Sequence, residues 1–407
     1  MAPVRIVRIL TRLNIGGPAI HAALLSNRLD PERFSTCLVA GEPDATEGDL
    51  SDLVDREQVA LRRLRSLKRS LHPWADVVTL VHLLRILWKE RPQLIHTHMA
   101  KAGALGRLAG LLYNGLGPGH GRGARAVLVH TFHGHVLEGY FPPRISWIFL
   151  IVEQWLARWT DCLIAVSDTV RHELSALGIG RAAQWQVIPV GLDLSALARL
   201  PVSNGRAPVR CGFVGRLVPI KNPSLFLGAL HHIIRQGAHA VQGVVVGDGP
   251  LRPALEREAR QLGLQRVVRF TGWQRDLLAI YNDVDIACLT SWNEGTPVAL
   301  IEAMAAGRAV VATDVGGVRD LLEADLRDHG SIPPGAFRLT ERGVLTRPGD
   351  AEGLAKAMTA VAEDVGLRRR LGEAGRTFVV ERFTSERLLR DIAGLYEGLL
   401  ASQSMRR

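Results

Sequence analysis

The chain has 407 residues, of which 47% are hydrophobic and 22% charged, and it carries a net charge of +10. This balance is typical of globular proteins with two or three domains, and it excludes disordered, fibrous and collagen-like classes. The four cysteines form no Cys-x-x-Cys pair, which favours small buried side chains in a reducing compartment over a disulfide framework.

The first half of the chain alternates short β-branched runs with longer amphipathic stretches. The predicted strands are 4–10, 35–41, 93–98, 126–134, 162–167 and 185–191. The predicted helices are 18–29, 74–90, 101–113, 144–159 and 168–177. Strands that alternate with helices indicate βαβ units, in which helices cover both faces of a parallel sheet.

A polar segment containing Pro and Gly, 198–208, interrupts this alternation and indicates a domain boundary. The alternation then resumes, with strands predicted at 209–215, 240–247, 267–272, 285–290 and 309–314. The helices predicted in this half are 222–236, 250–262, 274–282 and 297–306. We therefore predict an α/β protein with two doubly wound Rossmann-like domains, residues 1–200 and 201–380, followed by a helical segment over 381–407. Ligands of such folds bind outside the carboxyl ends of the strands, here in the predicted cleft between the domains.

The most informative segment is SWNEGTPVALIEAMAAGRAVVAT, residues 291–313. Glu294 lies in the loop after a predicted strand, and Glu302 lies about a turn and a half inside the next helix. The residues that lead into this helix are Gly295, Thr296 and Pro297. Free N–H groups at a helix start bind anions, so the segment fits a ligand with both hydroxyls and phosphate. The alternative, which the motif alone leaves open, is that Glu294 caps its helix and Glu302 is exposed.

A second segment, GFVGRLVPIKNP, places two cations between a strand and the next helix. The guanidinium of Arg216 and the ammonium of Lys221 can hold a diphosphate there. Two loop cations are more often solvated, so this segment is informative only together with the glutamates.

Two glycine turns follow other predicted strands. In LNIGGPAIH, Gly16 and Gly17 precede a helix, so backbone amides can approach a phosphate closely. This turn is neither G-x-G-x-x-G nor a Walker loop, so it predicts neither NAD nor ATP binding. Gly247 lies in GDGP, a strand-to-helix turn of a kind that is also common as a purely structural element.

Five histidines cluster near the predicted strand ends: His96, His98, His130, His133 and His135. A zinc site needs three or four convergent ligands, whereas these histidines have i, i+2 spacing and no cysteine nearby. The spacing therefore favours general-base or hydroxyl-binding roles. Asp283 and Asp285 form an Asp-x-Asp pattern, which holds a divalent metal in some sugar transferases. They precede a predicted strand at the end away from the cleft, so we expect structural caps.

Taken together and in this order, these segments resemble the retaining glycosyltransferases of family 4, which have the GT-B fold. The resemblance covers nearly the whole chain and rests on the two glutamates with seven residues between them, the Gly-Arg-Leu…Lys loop and the GDGP turn. Residues 96–110 and 130–141 look like the branch that builds bacterial capsular and exopolysaccharides. In that branch a sugar passes from a nucleotide diphosphate to a polyprenyl-diphosphate-linked acceptor at the inner membrane face.

The resemblance implies roles for individual residues. The implied catalytic residues are Glu294, His133, Arg216 and Lys221. The implied donor-binding residues are Gly16, Gly17, Arg216, Lys221, Gly247, Trp273, Glu294, Gly295, Thr296, Pro297 and Glu302. Lys101 and His135 would lie on the acceptor side, and the segment 382–400 would return to the first domain.

The expected chemistry needs no metal and no other cofactor, because the two cations and the helix start stabilise the leaving diphosphate. The sequence shows no nucleophile for a double displacement, which favours a front-side route in which the leaving phosphate takes the acceptor's proton. A UDP-sugar is the favoured donor and a GDP-sugar the alternative. Competing readings are a nucleotide-sugar 2-epimerase, a transferase to a soluble acceptor, and a basic nucleic-acid-binding module. The last one does not account for the glutamates.

Residues 60–160 carry the net charge, with 14 Lys and Arg against 4 Asp and Glu, and five of the eight tryptophans. Basic residues mixed with tryptophan can serve a membrane interface, a nucleic acid or an anionic substrate, and the alternative is a solvated basic face. The amino terminus lacks the apolar core of a signal peptide. The most apolar stretch, 145–152, is far shorter than the roughly 20 residues that span a bilayer. We therefore expect a cytoplasmic protein, peripheral on the inner face of the membrane, with its oligomeric state left open.

Overall fold

A computed structural model describes residues 2–14, 16–43, 49–54, 59–68, 70, 72–117, 125–134, 143–203, 207–237, 241–323 and 330–405. The chain divides into two compact units, one of Met1–Gly191 with Ser385–Arg407 and one of Leu192–Thr384. The sequence had placed the corresponding boundaries after residues 200 and 380. Each unit is an α/β domain built on a seven-stranded sheet.

The sheet of the first unit has the strand order β3-β2-β1-β4-β5-β6-β7, and each neighbouring pair is parallel. Its strands are β1 Val4–Arg12, β2 Phe34–Gly41, β3 Ala60–Arg63, β4 Leu94–His98, β5 Val127–Phe132, β6 Cys162–Ala165 and β7 Trp185–Val187. Its helices are α1 Gly17–Arg28, α2 Pro73–Glu90, α3 Ala100–Leu116, α4 Pro143–Arg158 and α5 Asp168–Ala176. The sequence predicted all of these except β3, a four-residue edge strand with two arginines and no β-branched residue.

The sheet of the second unit has the order β10-β9-β8-β11-β12-β14-β13. Its strands are β8 Val209–Val214, β9 Val241–Val246, β10 Val268–Gly272, β11 Ile286–Leu289, β12 Ala309–Thr313, β13 Phe337–Leu339 and β14 Val344–Thr346. Its helices are α6 Pro223–Arg235, α7 Arg252–Gln261, α8 Leu277–Asn282, α9 Val298–Ala305, α10 Val318–Leu322, α11 Ala351–Glu363 and α12 Val365–Arg382. The sequence analysis missed the antiparallel pair β13–β14 and the helices α10 to α12.

The last helix, α13 (Ser385–Met405), packs in the first unit. Its Tyr396 is fully buried beside Ile6 and Leu25 in the core between this helix, α1 and the sheet. The buried guanidinium of Arg8 on β1 donates to Ser26 Oγ at 2.8 Å and to Tyr396 Oη at 3.1 Å. This places α13 against β1, an interior strand of the first sheet.

The cysteines and the Asp-x-Asp pair have the structural roles that the sequence predicts. All four cysteines are buried and free. Asp285 is buried and accepts from Ser203 Oγ at 2.7 Å and from the backbone N–H of Arg210 at 2.9 Å. Asp283 pairs with Arg210 and Arg269. The Asp-x-Asp carboxylates are therefore engaged in structural contacts within the second unit.

Candidate functional site

Three loops of the second unit meet at one edge of its sheet. β8 lies between β9 and β11 and is parallel to both, so the loops that follow these strands share the carboxyl edge. Backbone hydrogen bonds join them, from Leu217 N to Asp248 O at 2.9 Å and from Trp292 N to Ile220 O at 2.9 Å. The cation loop, the GDGP turn and the first glutamate are thus brought together, as their positions after strands predict.

Lys221 and Glu294 form an ion pair at this edge. The distance from Lys221 Nζ to Glu294 Oε1 is 2.5 Å, and Ser291 Oγ donates to the same oxygen at 2.5 Å. Glu294 is 9% exposed, so this carboxylate is held in one position by a charge and a hydroxyl. Such a fixed pair is suited to orienting a ligand that carries hydroxyls and phosphate.

The capping alternative for Glu294 is wrong. The N-cap residue of α9 is Pro297, and no side chain caps that helix start. Gly295 and Thr296 lie between Glu294 and this cap. The backbone carbonyl of Glu294 accepts from Gly317 N at 3.2 Å, and Gly316 leaves room for it, because an added Cβ there would lie 2.0 Å from that oxygen.

Glu302 lies inside α9 and is only partly exposed, so the alternative that it is a solvated side chain is also wrong. Its Oε2 accepts from Tyr281 Oη at 3.0 Å, and the same hydroxyl lies 2.9 Å from Ala299 O. Burial raises the pKa of Glu302 to about 7, and the Tyr281 hydroxyl opposes this shift. The carboxyl group therefore changes its charge near neutral pH.

The remaining predicted residues of this unit line the same strand ends. Arg216 follows β8 after Gly215, and both Arg216 and Trp273, after β10, are at least partly exposed. Gly247 has φ +133°, and an added Cβ would lie 2.0 Å from Gly215 O. Only glycine fits this close approach of the β8 and β9 loops.

The corresponding edge of the first unit follows β1, β4 and β5, which are neighbours in the sheet. Gly16 is the N-cap residue of α1, which begins at Gly17. The nearest atom to an added Cβ at Gly16 is 3.9 Å away, so this turn is open. His98 ends β4, and His133 follows β5.

The predicted histidine cluster divides between the two faces of the first sheet, because alternate residues of a strand point to opposite sides. His130 faces α3, with Nδ1 2.8 Å from Thr97 Oγ1. His96 faces α13, with Nδ1 2.6 Å from Tyr396 Oη and Nε2 2.7 Å from Thr131 Oγ1. His96 is thus bonded through both ring nitrogens and His130 through one, and both are buried core residues. His135 lies outside the described residues.

Sequence analysis missed His21, which lies in α1 four residues after Gly17. His21, His98 and His133 offer one ring nitrogen each within 4.8 Å of the others. Burial lowers the pKa of all three, that of His133 to about 4. These imidazoles are thus neutral at physiological pH. The local signal for His21 was its position one helical turn inside the helix that starts at the glycine turn.

Lys101, predicted on the acceptor side, lies in the first turn of α3. Its Nζ is 2.6 Å from Asp76 Oδ1 and also donates to the backbone carbonyl of Ser70. The side chain is 10% exposed. The ammonium group is therefore already paired within the first unit.

Two family models match the chain. Residues 208–364 match the model described as glycosyl transferases group 1, and residues 16–191 match the glycosyl transferase 4-like domain. The chain belongs to the family 4 glycosyltransferases. Its fold of two Rossmann-like domains with parallel sheets is the GT-B fold of its structural neighbours. Among the described residues, no helix of this glycosyltransferase is long and apolar enough to cross a membrane.

Relatives of this glycosyltransferase are themselves described as glycosyltransferases. It is 28% identical to the Escherichia coli UDP-Gal:α-D-GlcNAc-diphosphoundecaprenol α-1,3-galactosyltransferase, over 78% of this chain and 83% of that protein. It is 28% identical to the putative colanic acid biosynthesis glycosyltransferase WcaL of Escherichia coli K12, over 68% of this chain and 65% of that protein.

Solved structures show the same fold. Anabaena HepE in complex with UDP and glucose matches with a TM-score of 0.75 and 21% identity, over 97% of this chain and all of that one. Sucrose-phosphate synthase of Thermosynechococcus elongatus matches with a TM-score of 0.77 and 22% identity, over 98% of this chain and all of that one.

Proposed function

We propose that this glycosyltransferase moves a sugar, with retention of anomeric configuration, from a UDP-sugar to a polyprenyl-diphosphate-linked acceptor in bacterial polysaccharide biosynthesis. The observation that carries the proposal is the Lys221–Glu294 pair at the carboxyl edge of the second sheet, with Glu302 on the helix that follows. The lipid-linked acceptor is supported by the E. coli relative, whose printed name specifies a diphosphoundecaprenol acceptor.

The proposed mechanism follows from the charges that develop when the anomeric C–O bond breaks. Negative charge builds on the leaving diphosphate, where Arg216, Lys221 and the start of α9 stabilise it without a metal. Glu294 binds hydroxyls of the transferred sugar, while Glu302 binds the ribose hydroxyls. His133, as a neutral imidazole, positions the donor sugar. The leaving phosphate takes the acceptor's proton on the same face of the sugar.

The proposal can be tested with a panel of UDP- and GDP-sugars. Each sugar nucleotide is incubated with purified protein and a membrane extract as acceptor. We expect nucleotide release from one UDP-sugar that depends on the extract and yields a lipid-linked product with retained configuration. Release of UDP with formation of a free 2-epimer in the absence of extract would identify an epimerase instead. Activity on a water-soluble extract alone would identify a soluble acceptor.

Donor binding is expected to depend on pH through Glu302. A carboxylate accepts ribose hydroxyls and a protonated carboxyl accepts them less well, so donor affinity should fall as the pH falls through the pKa of about 7. Between pH 8 and pH 6 the charged fraction drops by about tenfold, and the donor KM should rise by a similar factor. Glu302→Gln should bind the donor weakly and independently of pH.

The measurement is calorimetric titration with an intact UDP-sugar, whose diphosphate diester does not titrate in this interval. Glu352→Gln, a change to an exposed pair on α11, serves as the matched control. A wild-type affinity that stays constant between pH 6 and pH 8 would contradict the assigned role of Glu302.

We further propose that the first unit binds an anionic membrane surface through α4. One stripe of this helix is exposed, with Ile148, Ile151, Val152 and Trp155 at helical spacing and Trp147 beside it. Glu153, on the opposite side, is held at 2.5 Å by the buried Arg107 of α3. The helix is therefore anchored on the domain while it offers an apolar face with tryptophans, as interfacial helices do.

The basic segment 60–160 contains a cluster of five basic residues at 62–69, and this cluster is partly neutralised. Three of its arginines pair with carboxylates; the pairs are Arg62–Glu90, Arg63–Asp49 and Arg65–Glu42. Lys68 is exposed, and Arg69 lies outside the described residues. Since an unpaired basic residue near an anionic leaflet contributes about 1 kcal/mol at best, we expect the apolar stripe to contribute more than this cluster.

Vesicle sedimentation tests this surface. We expect binding to anionic vesicles that weakens with salt, and little binding to neutral ones. Trp147→Ser with Trp155→Ser should reduce binding and activity on the lipid acceptor more than glutamine substitutions at 62, 63, 65 and 68. Donor affinity should not change in either variant. Val365→Ser, at an exposed apolar residue of the second unit, is the control. Equal binding by the wild type and the tryptophan variant would contradict the proposal.

A further inference from the structure

Two buried histidines and one half-buried histidine of the first unit converge, although they come from separate elements. His21 belongs to α1, His98 ends β4 and His133 follows β5. Their ring centroids are 5.6, 5.0 and 5.4 Å apart, and one nitrogen of each ring lies within 4.8 Å of the others. The sheet order brings β4 next to both β1 and β5, and this adjacency creates the cluster.

Ring nitrogens of this cluster lack hydrogen-bond partners. Within the described part of the chain, both nitrogens of His21 and Nε2 of His98 are buried without a partner. Buried polar atoms in proteins are nearly always bonded, so each exception indicates a strained, catalytic or ligand-binding position. The neighbouring His96, by contrast, has hydrogen-bond partners on both ring nitrogens. Unbonded ring nitrogens are therefore a property of His21 and His98 and not of every buried histidine in this region.

We propose that His21, His98 and His133 form a binding site for a divalent transition metal ion, with Zn²⁺ as the ion that suits three imidazoles. Tetrahedral zinc with Zn–N bonds of about 2.0–2.1 Å places ligand nitrogens roughly 3.3 Å apart. His98 Nδ1 and His133 Nε2 are already 3.1 Å apart. The ion would replace the hydrogen bond between them and give one nitrogen of His21 a partner. The fourth position stays open to water.

The surroundings indicate an exchangeable ion rather than a permanent one. The three imidazoles are neutral at physiological pH, so their lone pairs are free for a metal. Arg8 and Arg387 add positive charge near His21, and no carboxylate belongs to the ligand group among the described residues. Neutral imidazoles carry no negative charge to offset it, which favours reversible binding and an anionic fourth ligand such as hydroxide.

Metal binding would inhibit transfer, and this consequence rests on the proposed function. His133 is assigned to the donor sugar. A metal ion bound to its Nε2 would make that nitrogen unavailable to the sugar. Added Zn²⁺ should therefore lower the transfer rate, and EDTA should restore it. The binding site itself does not depend on that assignment.

Titration with Co²⁺ tests the site without any activity assay. The protein is prepared without a polyhistidine tag and freed of metal with EDTA. We expect the intense visible absorption of tetrahedral Co²⁺ to saturate at one ion per chain and to be displaced by Zn²⁺. His21→Gln and His133→Asn should each weaken binding at least about tenfold. His172→Asn, an exposed histidine of α5, is the matched control and should leave it unchanged.

Thermal unfolding of each variant shows whether it is folded, and the half-buried His133 provides a second ligand variant if His21→Gln does not fold. Absence of the tetrahedral Co²⁺ band at millimolar metal would overturn the proposal. Wild-type binding by both folded ligand variants would do the same. If Co²⁺ binds at the three histidines and Zn²⁺ leaves transfer unaffected, the site stands and the role of His133 in donor binding fails.

Discussion

Lys221→Ala and Arg216→Ala are each expected to lower kcat by about 10²-fold or more, the scale of losing one preorganised contact to a transition state. In the proposed mechanism the leaving diphosphate gains charge as the anomeric bond breaks, and these cations stabilise it in place of a metal. Lys221 is already held 2.5 Å from Glu294, so its position costs no reorganisation during the reaction. Steady-state kinetics with the UDP-sugar found in the panel measures the effect.

Two comparisons separate this role from general surface charge. Lys356→Ala removes an exposed lysine paired at i, i+4 with Glu352 and should leave kcat unchanged. EDTA should leave wild-type transfer largely intact, because the proposed mechanism uses no metal at the diphosphate. If EDTA abolished the activity and manganese restored it, a metal ion and not the two cations would stabilise the charge on the diphosphate. Asp283 and Asp285 would then need to leave their contacts with Arg210.

Glu294→Gln is expected to lower kcat by roughly 10²-fold while the donor KM changes little, because the negative charge matters most as positive charge develops on the sugar. Glutamine keeps the size of the side chain and can still accept from Ser291 Oγ, so the fold should be retained. Thermal unfolding of the variant checks that retention. A raised KM with unchanged kcat would instead show that Glu294 binds donor and transition state equally.

The double variant Lys221→Ala with Glu294→Gln tests whether the ion pair acts as one unit. Residues in direct contact are rarely additive. We expect the fold-loss in kcat of the double variant to be smaller than the product of the two single fold-losses. The reason is that each single change already leaves the other charge unpaired. Fully multiplicative losses would show that Lys221 and Glu294 act on separate parts of the donor.

The sequence determined most of the regular structure, because hydrophobic period and turn residues are local properties. Among the strands, it failed at short elements with little apolar pattern, and it also left the helices α10 to α12 unassigned. The edge strand β3 has the sequence ALRR, and β13 and β14 have three residues each. Such strands are stabilised by pairing with a neighbour rather than by their own composition, which local patterns do not show.

For the candidate site, the sequence located Lys221 and Glu294 because they lie in loops after predictable strands. It located Glu302 because this residue lies inside a predictable helix. It left open whether the two glutamates cap, point to solvent or face a ligand. The ion pair with Lys221 and the hydroxyl of Tyr281 decided against both structural alternatives. These contacts join residues 73 and 21 positions apart, which only the folded chain brings together.

The tertiary structure alone decided which histidines meet and which charges are neutralised. Residue spacing grouped His130 with His96 and His98, whereas strand alternation turns it to the opposite face, and the sheet order brings in His21 from α1 instead. In the sequence, the basic cluster at 62–69 adds to the positive charge of its segment. In the folded chain, Glu42, Asp49 and Glu90 pair with three of its arginines. Sheet order and side-chain direction depend on long-range packing, and a linear pattern of residues does not contain them.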